Sequence, residues 1–299
     1  MAKIVECIPN FSEGRREDVI NGLVEVSKSV PGVTLLDYSS DASHNRSVFT
    51  LVGDLEGIKA VALKLAKYAK KNIDLTKHEG EHPRMGAVDV IPFVPIKDVS
   101  VEECIAISKE VAEMLANETG IPVFLYEDSC TKESRRNLAA IRKGQFEGMA
   151  KKMAKAEWAP DYGSPSPHPT AGVVAIGARM PLIAFNVNLS TCDVEIANKI
   201  SKIIRGSSGG LKYCKAIGIH LDDRNIAQVS MNLVNYEGTP IYRVVELIKI
   251  EAARYGVHVT GTELVGLAPA KALVDAAEYY LQLEDFDFGK QVLENHILG

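Results

Sequence analysis

Residues 33–52 read VTLLDYSSDASHNRSVFTLV, in which two runs rich in β-branched and apolar residues flank a polar segment. Such runs predict strands over residues 33–38 and 46–52, and the polar residues 41–45 predict the turn between them. One helical pattern precedes this hairpin and another follows it. The stretch decides the fold, because a hairpin between two helices is the centre of a βαββαβ unit.

Four further elements complete that unit. They are a strand over residues 3–9, a helix over 16–30 that Ser12 can cap, a helix from Asp54 to about residue 71, and a strand over 87–94 that ends at Pro95. A helix (101–118), a strand (122–126) and short helices to about residue 155 extend this half. Two right-handed crossovers place both helices of the unit on one face of a four-stranded sheet.

The second half of the chain repeats this order of elements. Its strands are predicted over residues 182–188, 212–220, 226–234 and 257–265, and its helices from Asp193 to about 205, from 239 to about 255, and onward from about 270. Asn45-Arg46 before one strand is matched by Arg224-Asn225 before its counterpart. We therefore predict an α+β fold of two tandem ferredoxin-like βαββαβ subdomains, residues 1–178 and 179–299, the first with extra helices and a strand.

Composition limits the classes of function. The chain has 299 residues with 34 basic and 39 acidic side chains, so its formal net charge is −5. This mildly acidic balance is not that of a general nucleic-acid binder. No apolar run reaches the ~18 residues of a membrane helix, the start shows no secretory signal, and five scattered cysteines fit a reducing compartment. We expect a cytoplasmic protein without nucleic-acid or membrane partners.

Two loops have features of binding sites. Residues 8–15 lead into the first helix, where backbone N–H groups aided by Arg15 or Arg16 can hold an anion. The alternative is plain capping of that helix by Asn10 or Ser12. Residues 158–170 contain four prolines, and a stiff loop of this length either binds a ligand or joins two domains.

Residues 78–82 read HEGEH, which matches the zinc-protease pattern H-E-x-x-H. That site needs both histidines on one helical face, whereas Gly80 weakens a helix and Pro83 favours extended backbone at His82. We favour His82 as a general acid and base, with Arg84 beside an anionic substrate. Zinc binding and a surface histidine without a task stay open alternatives. For His44, His258 and His296 we prefer the interpretation as surface histidines without a function.

Five stretches resemble the glutamate formimidoyltransferase (formiminotransferase) family. They are VECIPNFSEG (5–14), GEHPRMGAVDV (80–90), AEWAPDYG (156–163), GAR (177–179) and LIAFNVNL (182–189). The likeness extends through almost the whole chain, to residues 264–267. Since 299 residues leave no room for a second enzyme, the chain resembles the stand-alone microbial form without a cyclodeaminase domain.

The resemblance implies a reaction and a site. A formimino group passes between N-formimino-L-glutamate and N5 of tetrahydrofolate, with His82 as the catalytic histidine and tetrahydrofolate as co-substrate, and without a metal. The folate site is implied at ten consecutive residues, which are Gly163, Ser164, Pro165, Ser166, Pro167, His168, Pro169, Thr170, Ala171 and Gly172. The interior of this loop is more proline-rich than is usual in the family.

Both substrates carry carboxylates, so we expect basic side chains in a groove between the subdomains, with Arg46 and Arg84 as candidates. An ordinary surface ion pair is the alternative for each arginine. Two other functions stay open, namely formyl transfer from N-formylglutamate to tetrahydrofolate and folate binding without turnover. A homodimer is compatible by analogy with other duplicated ferredoxin-like proteins. The sequence determines neither the oligomeric state nor a polyglutamate preference.

Overall fold

The computed structural model describes residues 3–297, which form two compact units. The first unit ends at Arg179 and the second begins at Met180. Each unit combines one sheet with several helices, so the predicted α+β class is confirmed. No helix within residues 3–297 is long and apolar enough to cross a bilayer.

The sheet of the first unit has seven strands within the described residues. They are β1 (Ile4–Cys7), β2 (Asn10–Phe11), β3 (Val33–Asp41), β4 (Arg46–Gly53), β5 (Val88–Lys97), β6 (Val123–Leu125) and β7 (Val174–Ala178). The order is β1-β4-β2-β5-β7-β6, and β3 pairs with β4 at the side. Strand β7 runs parallel to both β5 and β6, whereas the other pairs are antiparallel.

The helices of this unit are associated with two separate apolar clusters. They are α1 (Glu17–Lys28), α2 (Leu55–Asn72), α3 (Val101–Thr119), α4 (Leu138–Arg142) and α5 (Gln145–Met153). The larger cluster takes its helical side chains from α1, α2 and α3, and the smaller one from α4 and α5. Along β7, Val174 and Ile176 belong to the larger cluster and Ala175 to the smaller, because successive strand residues point to opposite faces. The middle of this sheet is therefore buried on both sides.

The second unit has a sheet of four antiparallel strands in the order β11-β8-β10-β9. Its elements are β8 (Ile183–Leu189), α6 (Val194–Ile204), β9 (Cys214–Leu221), β10 (Ile226–Leu233), α7 (Ile241–Ala253), β11 (Val259–Val265), α8 (Ala270–Leu281), α9 (Phe288–Gln291) and α10 (Glu294–Ile297). Its core joins strand residues such as Val187 and Val229 to helix residues such as Ile200 and Val244. The strand and helix order from β8 to β11 is the one that the sequence predicts.

The hairpin turns of the two units share a backbone feature. Asn45 precedes β4 with φ of 48°, and Asn225 precedes β10 with φ of 49°. Asparagine tolerates this left-handed region better than most residues, since its short polar side chain bonds locally. The matched dipeptides noticed in the sequence thus mark turns of the same conformation.

Two local expectations were wrong. Arg16 is the N-cap residue of α1, while the Ser12 hydroxyl donates instead to the carbonyl of Gly86 at 2.8 Å. Just ahead of α1, the Glu13 carboxylate accepts the N–H groups of Arg15 and Arg16, each at 2.9 Å, and anion binding by this loop stays a prediction. Strand β5 continues through Pro95 to Lys97, since proline lacks only the N–H donor and its register partner in β1 lies at a bulge.

Two strands, β2 and β7, were absent from the prediction. Strand β2 has only two residues, too few for an alternating pattern to be read. The predicted boundary after residue 178 comes directly behind β7, to which Gly177 and Ala178 belong. All five residues of β7 are buried, and a parallel strand buried on both faces has no polar alternation to reveal it.

Candidate active site

The loop that carries His82 is tied to the end of the proline-rich loop. Three main-chain hydrogen bonds join them, from Leu75 N to Thr170 O (2.8 Å), from Ala87 N to Ala171 O (3.0 Å), and from Val173 N to Met85 O (3.0 Å). These bonds hold both ends of the segment 75–87 against residues 170–173. The structure therefore brings together the two stretches that the sequence singled out.

Two glycines make this close approach feasible. A Cβ atom at Gly86 would lie 2.0 Å from the carbonyl oxygen of Val173, and one at Gly172 would lie 2.1 Å from the carbonyl oxygen of Met85. Both distances are far below contact distance, and Gly172 also has φ of +67°. Only glycine fits where the two backbones cross.

Replacing Gly172 with alanine is expected to lower the free energy of unfolding by clearly more than the ~1–2 kcal/mol that a left-handed alanine costs. The additional loss comes from the collision with Met85 O. Gly120→Ala is the matched control, because Gly120 has φ of +70° with nothing within 4 Å of its Cβ position. Urea unfolding followed by far-UV circular dichroism measures both variants. Equal losses in the two would show that the loops are not clamped at Gly172.

His82 is half-buried, and its ring lies against a guanidinium group. The Arg46 Nη1 atom is 2.7 Å from Nδ1 and 2.8 Å from Nε2 of His82. The Arg46 Nη2 atom donates to Oδ1 of Asn10. Burial and then the charges of Arg46 and Arg142 lower the pKa of His82 to about 4, although Asp89 opposes the shift. The imidazole is therefore neutral at pH 7 and can accept a proton.

A buried carboxylate supports this arrangement. Asp89, 1% exposed, lies in the apolar strand β5. It accepts hydrogen bonds from Arg142 Nε at 2.8 Å and from the Met85 amide at 2.8 Å, and its Oδ2 is 3.7 Å from Arg46 Nη1. Sequence reasoning missed Asp89 and Arg142. A single acidic residue inside an apolar strand was the available signal, since a buried charge must find partners.

Arg84 and His78 occupy neighbouring positions in the same loop. The Nε2 atom of His78 is 2.9 Å from the carbonyl oxygen of Asn45, and Arg84 Nε donates to His78 Nδ1 at 3.2 Å. In this arrangement Nδ1 of His78 is the acceptor and Nε2 faces the carbonyl oxygen. The guanidinium of Arg84 also bonds both carboxylate oxygens of Glu147, at 2.9 and 2.6 Å. Of the two candidate arginines, only Arg46 contacts His82.

The zinc-protease interpretation loses its structural basis. Residues 78–82 form no helix, so the two histidines lack the shared helical face that such a site requires. Nitrogen atoms of both rings already face arginine side chains. Within residues 3–297 no three histidine, cysteine, aspartate or glutamate side chains converge as metal ligands.

Two cavities flank the segment just before His82. Their volumes are about 480 and 550 Å³, within the usual range for small-molecule sites. Both are lined by Lys77, His78 and Glu79. Arg84 and Phe146 line the first cavity, and Arg15 and Arg16, among others, line the second. Basic side chains thus border both.

The proline-rich loop differs between its two ends. Residues 163–166 are exposed, whereas Ala171 and Gly172 are buried. His168 and Gly172 exchange two main-chain hydrogen bonds of 2.9 Å, and the Nδ1 atom of His168 accepts the Ala171 amide at 3.1 Å. Burial and the charge of Lys70 lower the pKa of His168. The loop therefore has an accessible beginning and an anchored end.

A second buried arginine anchors the segment that enters this loop. Arg135 is 1% exposed, and its guanidinium lies 3.2 Å from Asp161 and donates to the carbonyl of Ala159 at 2.6 Å. The Asp161 carboxylate also accepts the Leu125 amide at 2.8 Å. Nothing in the sequence distinguishes Arg135 from its neighbour Arg136, so this anchor was not predicted.

Comparison with known proteins identifies the family. The formiminotransferase domain, N-terminal subdomain, matches residues 4–179, and the formiminotransferase domain matches residues 184–295. Glutamate formimidoyltransferase of Streptococcus pyogenes serotype M1 is 69% identical over 299 residues, 100% of each chain. The Thermoplasma acidophilum enzyme of the same name is 47% identical, with 96% of this chain and 95% of that one covered. Formimidoyltransferase-cyclodeaminase of Gallus gallus is 46% identical, with 95% of this chain and 53% of that one covered. Since the matches run through both units, the resemblance seen in the motifs is confirmed and the chain belongs to the formiminotransferase family.

Proposed function

We propose that this transferase passes the formimino group between N-formimino-L-glutamate and N5 of tetrahydrofolate, with His82 as the general acid and base. The observation that carries the role of His82 is its half-buried ring beside Arg46, on a loop bonded to residues 170–173. Family membership across the whole chain supports the reaction. The relative that is 69% identical carries the name of this activity.

The chemistry needs one group that both accepts and returns a proton. N5 of tetrahydrofolate is a secondary amine, and it attacks the amidine carbon of the donor to give a tetrahedral intermediate. N5 then loses a proton, and the glutamate nitrogen must gain one before its bond to carbon breaks. The neutral His82 imidazole takes the first proton and returns it to the leaving nitrogen. The low pKa of His82 makes the protonated ring a ready donor.

The folate is proposed to bind at residues 163–172. The exposed beginning of this loop leaves polar and proline side chains accessible, and its anchored end lies next to the His82 loop. Holding N5 and the amidine carbon in line would supply much of the remaining rate. Tetrahydrofolate is a co-substrate in this scheme, which uses no metal and no redox step.

Arg46 and Arg84 are proposed ligands for substrate carboxylates. Each is engaged at present, Arg84 with Glu147 and Arg46 with His82 and Asn10. A substrate carboxylate at Arg84 would replace the Glu147 oxygens, which belong to a largely exposed side chain. Exchange of one carboxylate for another costs little at such a site.

The finer statements on fold and location are also proposals. The strand order β11-β8-β10-β9, with α6 and α7 as connections, supports a ferredoxin-like plan for the second unit. The antiparallel pairing of β1, β4 and β5 supports the same plan for the first. The five cysteines are free thiols, which supports the proposed cytoplasmic location. Pairing into a homodimer remains a prediction.

Side-by-side assays with two donors test the proposal. The purified protein, tetrahydrofolate and either N-formimino-L-glutamate or N-formyl-L-glutamate are mixed, and formation of the N5-substituted folate is followed by absorbance and mass spectrometry. We expect turnover with the formimino donor. Turnover with the formyl donor alone would identify a formyltransferase instead. Folate binding by calorimetry without turnover of either donor would identify a binding protein.

A further inference from the structure

We infer that Arg46 is a positioning residue that holds the His82 ring in place and keeps it in the neutral form. Its catalytic consequence rests on the proposed function, whereas its effect on the ring does not. Arg46 lies at the start of β4, and its guanidinium is shared among Asn10 in β2, Asp89 in β5 and the ring itself. Arg46 thus gains a role other than binding a substrate carboxylate.

The donor pattern of Arg46 selects the form of the imidazole. A guanidinium carries only N–H donors, and its Nη1 atom lies within 2.8 Å of both ring nitrogens of His82. An imidazolium would present two N–H groups to this cation and could accept nothing from it. A neutral imidazole has one nitrogen lone pair that can accept the Arg46 proton. The contact therefore favours the neutral ring over the imidazolium, which forms only while the proton is in transit.

The charges around the ring act in the same direction. Arg46 faces His82 from β4 and Arg142 from the end of α4, while Asp89 from β5 opposes them. The ring of His44, in the β3–β4 turn, lies 6.4 Å away between centroids and pairs with Asp41 at 3.0 Å. Two full positive charges against one negative charge disfavour a third positive charge on His82.

Asp89 helps to hold Arg46 in position, but its single negative charge does not balance the two arginine charges near the His82 ring. Its carboxylate bonds Arg142 at 2.8 Å and lies 3.7 Å from Arg46, so two cations share one anion. Burial lowers the pKa of Arg46 to about 10, and the guanidinium stays charged at neutral pH. Asn10 fixes the second guanidinium nitrogen, and its own Nδ2 donates to the carbonyl of Ile8 at 2.7 Å. The cation is held rigidly from three sides.

Nuclear magnetic resonance titration of ring-labelled histidine tests this inference directly. The His82 signal is assigned by its loss in His82→Gln. We expect a midpoint near 4 in the unmodified chain and a clear upward shift, toward 6.5, in Arg46→Gln. Arg46→Lys keeps a positive charge and should keep the midpoint low. Arg136→Gln, which removes an arginine paired only with Asp128 and Glu133, should leave it unchanged.

The pH dependence of kcat/KM provides the matching kinetic readout. Only neutral His82 can take the N5 proton, so activity falls as pH drops through the pKa of His82. In Arg46→Gln, the acidic limb of the pH profile of kcat/KM should move to higher pH. The size of this move should equal the shift of the His82 midpoint measured by nuclear magnetic resonance. The unmodified chain and Arg46→Gln act on the same substrates, so ionisation of the substrates affects the two pH profiles equally. If Arg46→Gln instead raised the KM for the donor and left the acidic limb where it was, Arg46 would be a ligand of the substrate carboxylate. That result would overturn the inference.

The two proposals fail in distinguishable ways. An unchanged His82 midpoint in Arg46→Gln overturns this inference even if the protein transfers formimino groups. A shifted midpoint in a protein that transfers nothing supports this inference and defeats the proposed function. If Arg46→Gln does not fold, Arg46→Met is measured instead, because methionine keeps much of the side-chain length and removes the charge. We expect the same upward shift, and an unchanged midpoint in the folded Arg46→Met protein would overturn the inference.

Discussion

Replacement of His82 with alanine is expected to lower kcat by about 10²–10⁴-fold, the usual range for loss of a general acid and base. N5 of the folate then has no neutral imidazole to take its proton, and the leaving nitrogen has no donor. The ring contributes to proton transfer more than to binding, so we expect folate affinity to change little. Initial rates with the formimino donor and calorimetry with folate measure the two quantities separately.

His258→Ala is the matched control for this experiment. His258 is exposed in the second unit, and only its main chain takes part in hydrogen bonds, with Ser190. We expect its kcat to equal that of the unmodified chain. Added imidazole should restore part of the activity of His82→Ala, since a free base can occupy the vacated space. Full activity of His82→Ala without imidazole would disprove the proposed role of this residue.

Replacement of Arg135 with methionine is expected to lower the free energy of unfolding by about 3–5 kcal/mol, the typical cost of removing one partner from a buried ion pair. Methionine has a similar length but no charge. Asp161, with only 8% of its side chain exposed, loses a partner, and the carbonyl of Ala159 loses its donor. The contact of the guanidinium with the rings of Phe124 and Trp158 is also lost. Urea unfolding followed by Trp158 fluorescence reports the change.

The adjacent arginine provides a stringent control for that variant. Arg136 also pairs with carboxylates, but 45% of its side chain is exposed. We therefore expect Arg136→Met to lower the free energy of unfolding by less than about 1 kcal/mol. The double variant Arg135→Met with Asp161→Asn should lower the free energy of unfolding by less than the sum of the two single changes. The reason is that asparagine leaves no unpaired carboxylate when Arg135 is absent. Equal effects at positions 135 and 136 would contradict the assignment of Arg135 as an anchor.

Much of the element order follows from local patterns in the sequence. The strands of the second unit, the hairpin of the first and the helices from Asp54 and Asp193 were predicted within a few residues, and both aspartates accept the expected cap hydrogen bonds. Alternating or helical spacing of apolar residues is a property of neighbouring positions, so it is visible without the fold. Strand β7 was missed because all five of its residues are buried, so no alternation of apolar and polar residues marks it.

The candidate site also contains residues that local motifs predict and residues that only the fold brings together. His82, Arg84 and residues 163–172 were predicted from motifs, because each motif is a continuous stretch. Asp89 and Arg142 were not, since nothing in the residues near them says that they meet. Their ion pair joins β5 to α4 across 53 positions of sequence. Arg46 was expected at a substrate carboxylate, and the structure adds its contact with the ring of His82.

The amino-acid sequence alone determined the class of fold and the places of the two hairpin turns, and it singled out His82 as the candidate acid and base, since these depend on residue type and short-range spacing. Only the tertiary structure shows which groups lower the pKa of His82. A pKa depends on burial and on charges within a few ångströms, and the groups that set it here come from β4, β5 and α4. Folding brings them together, and no local pattern records that they meet.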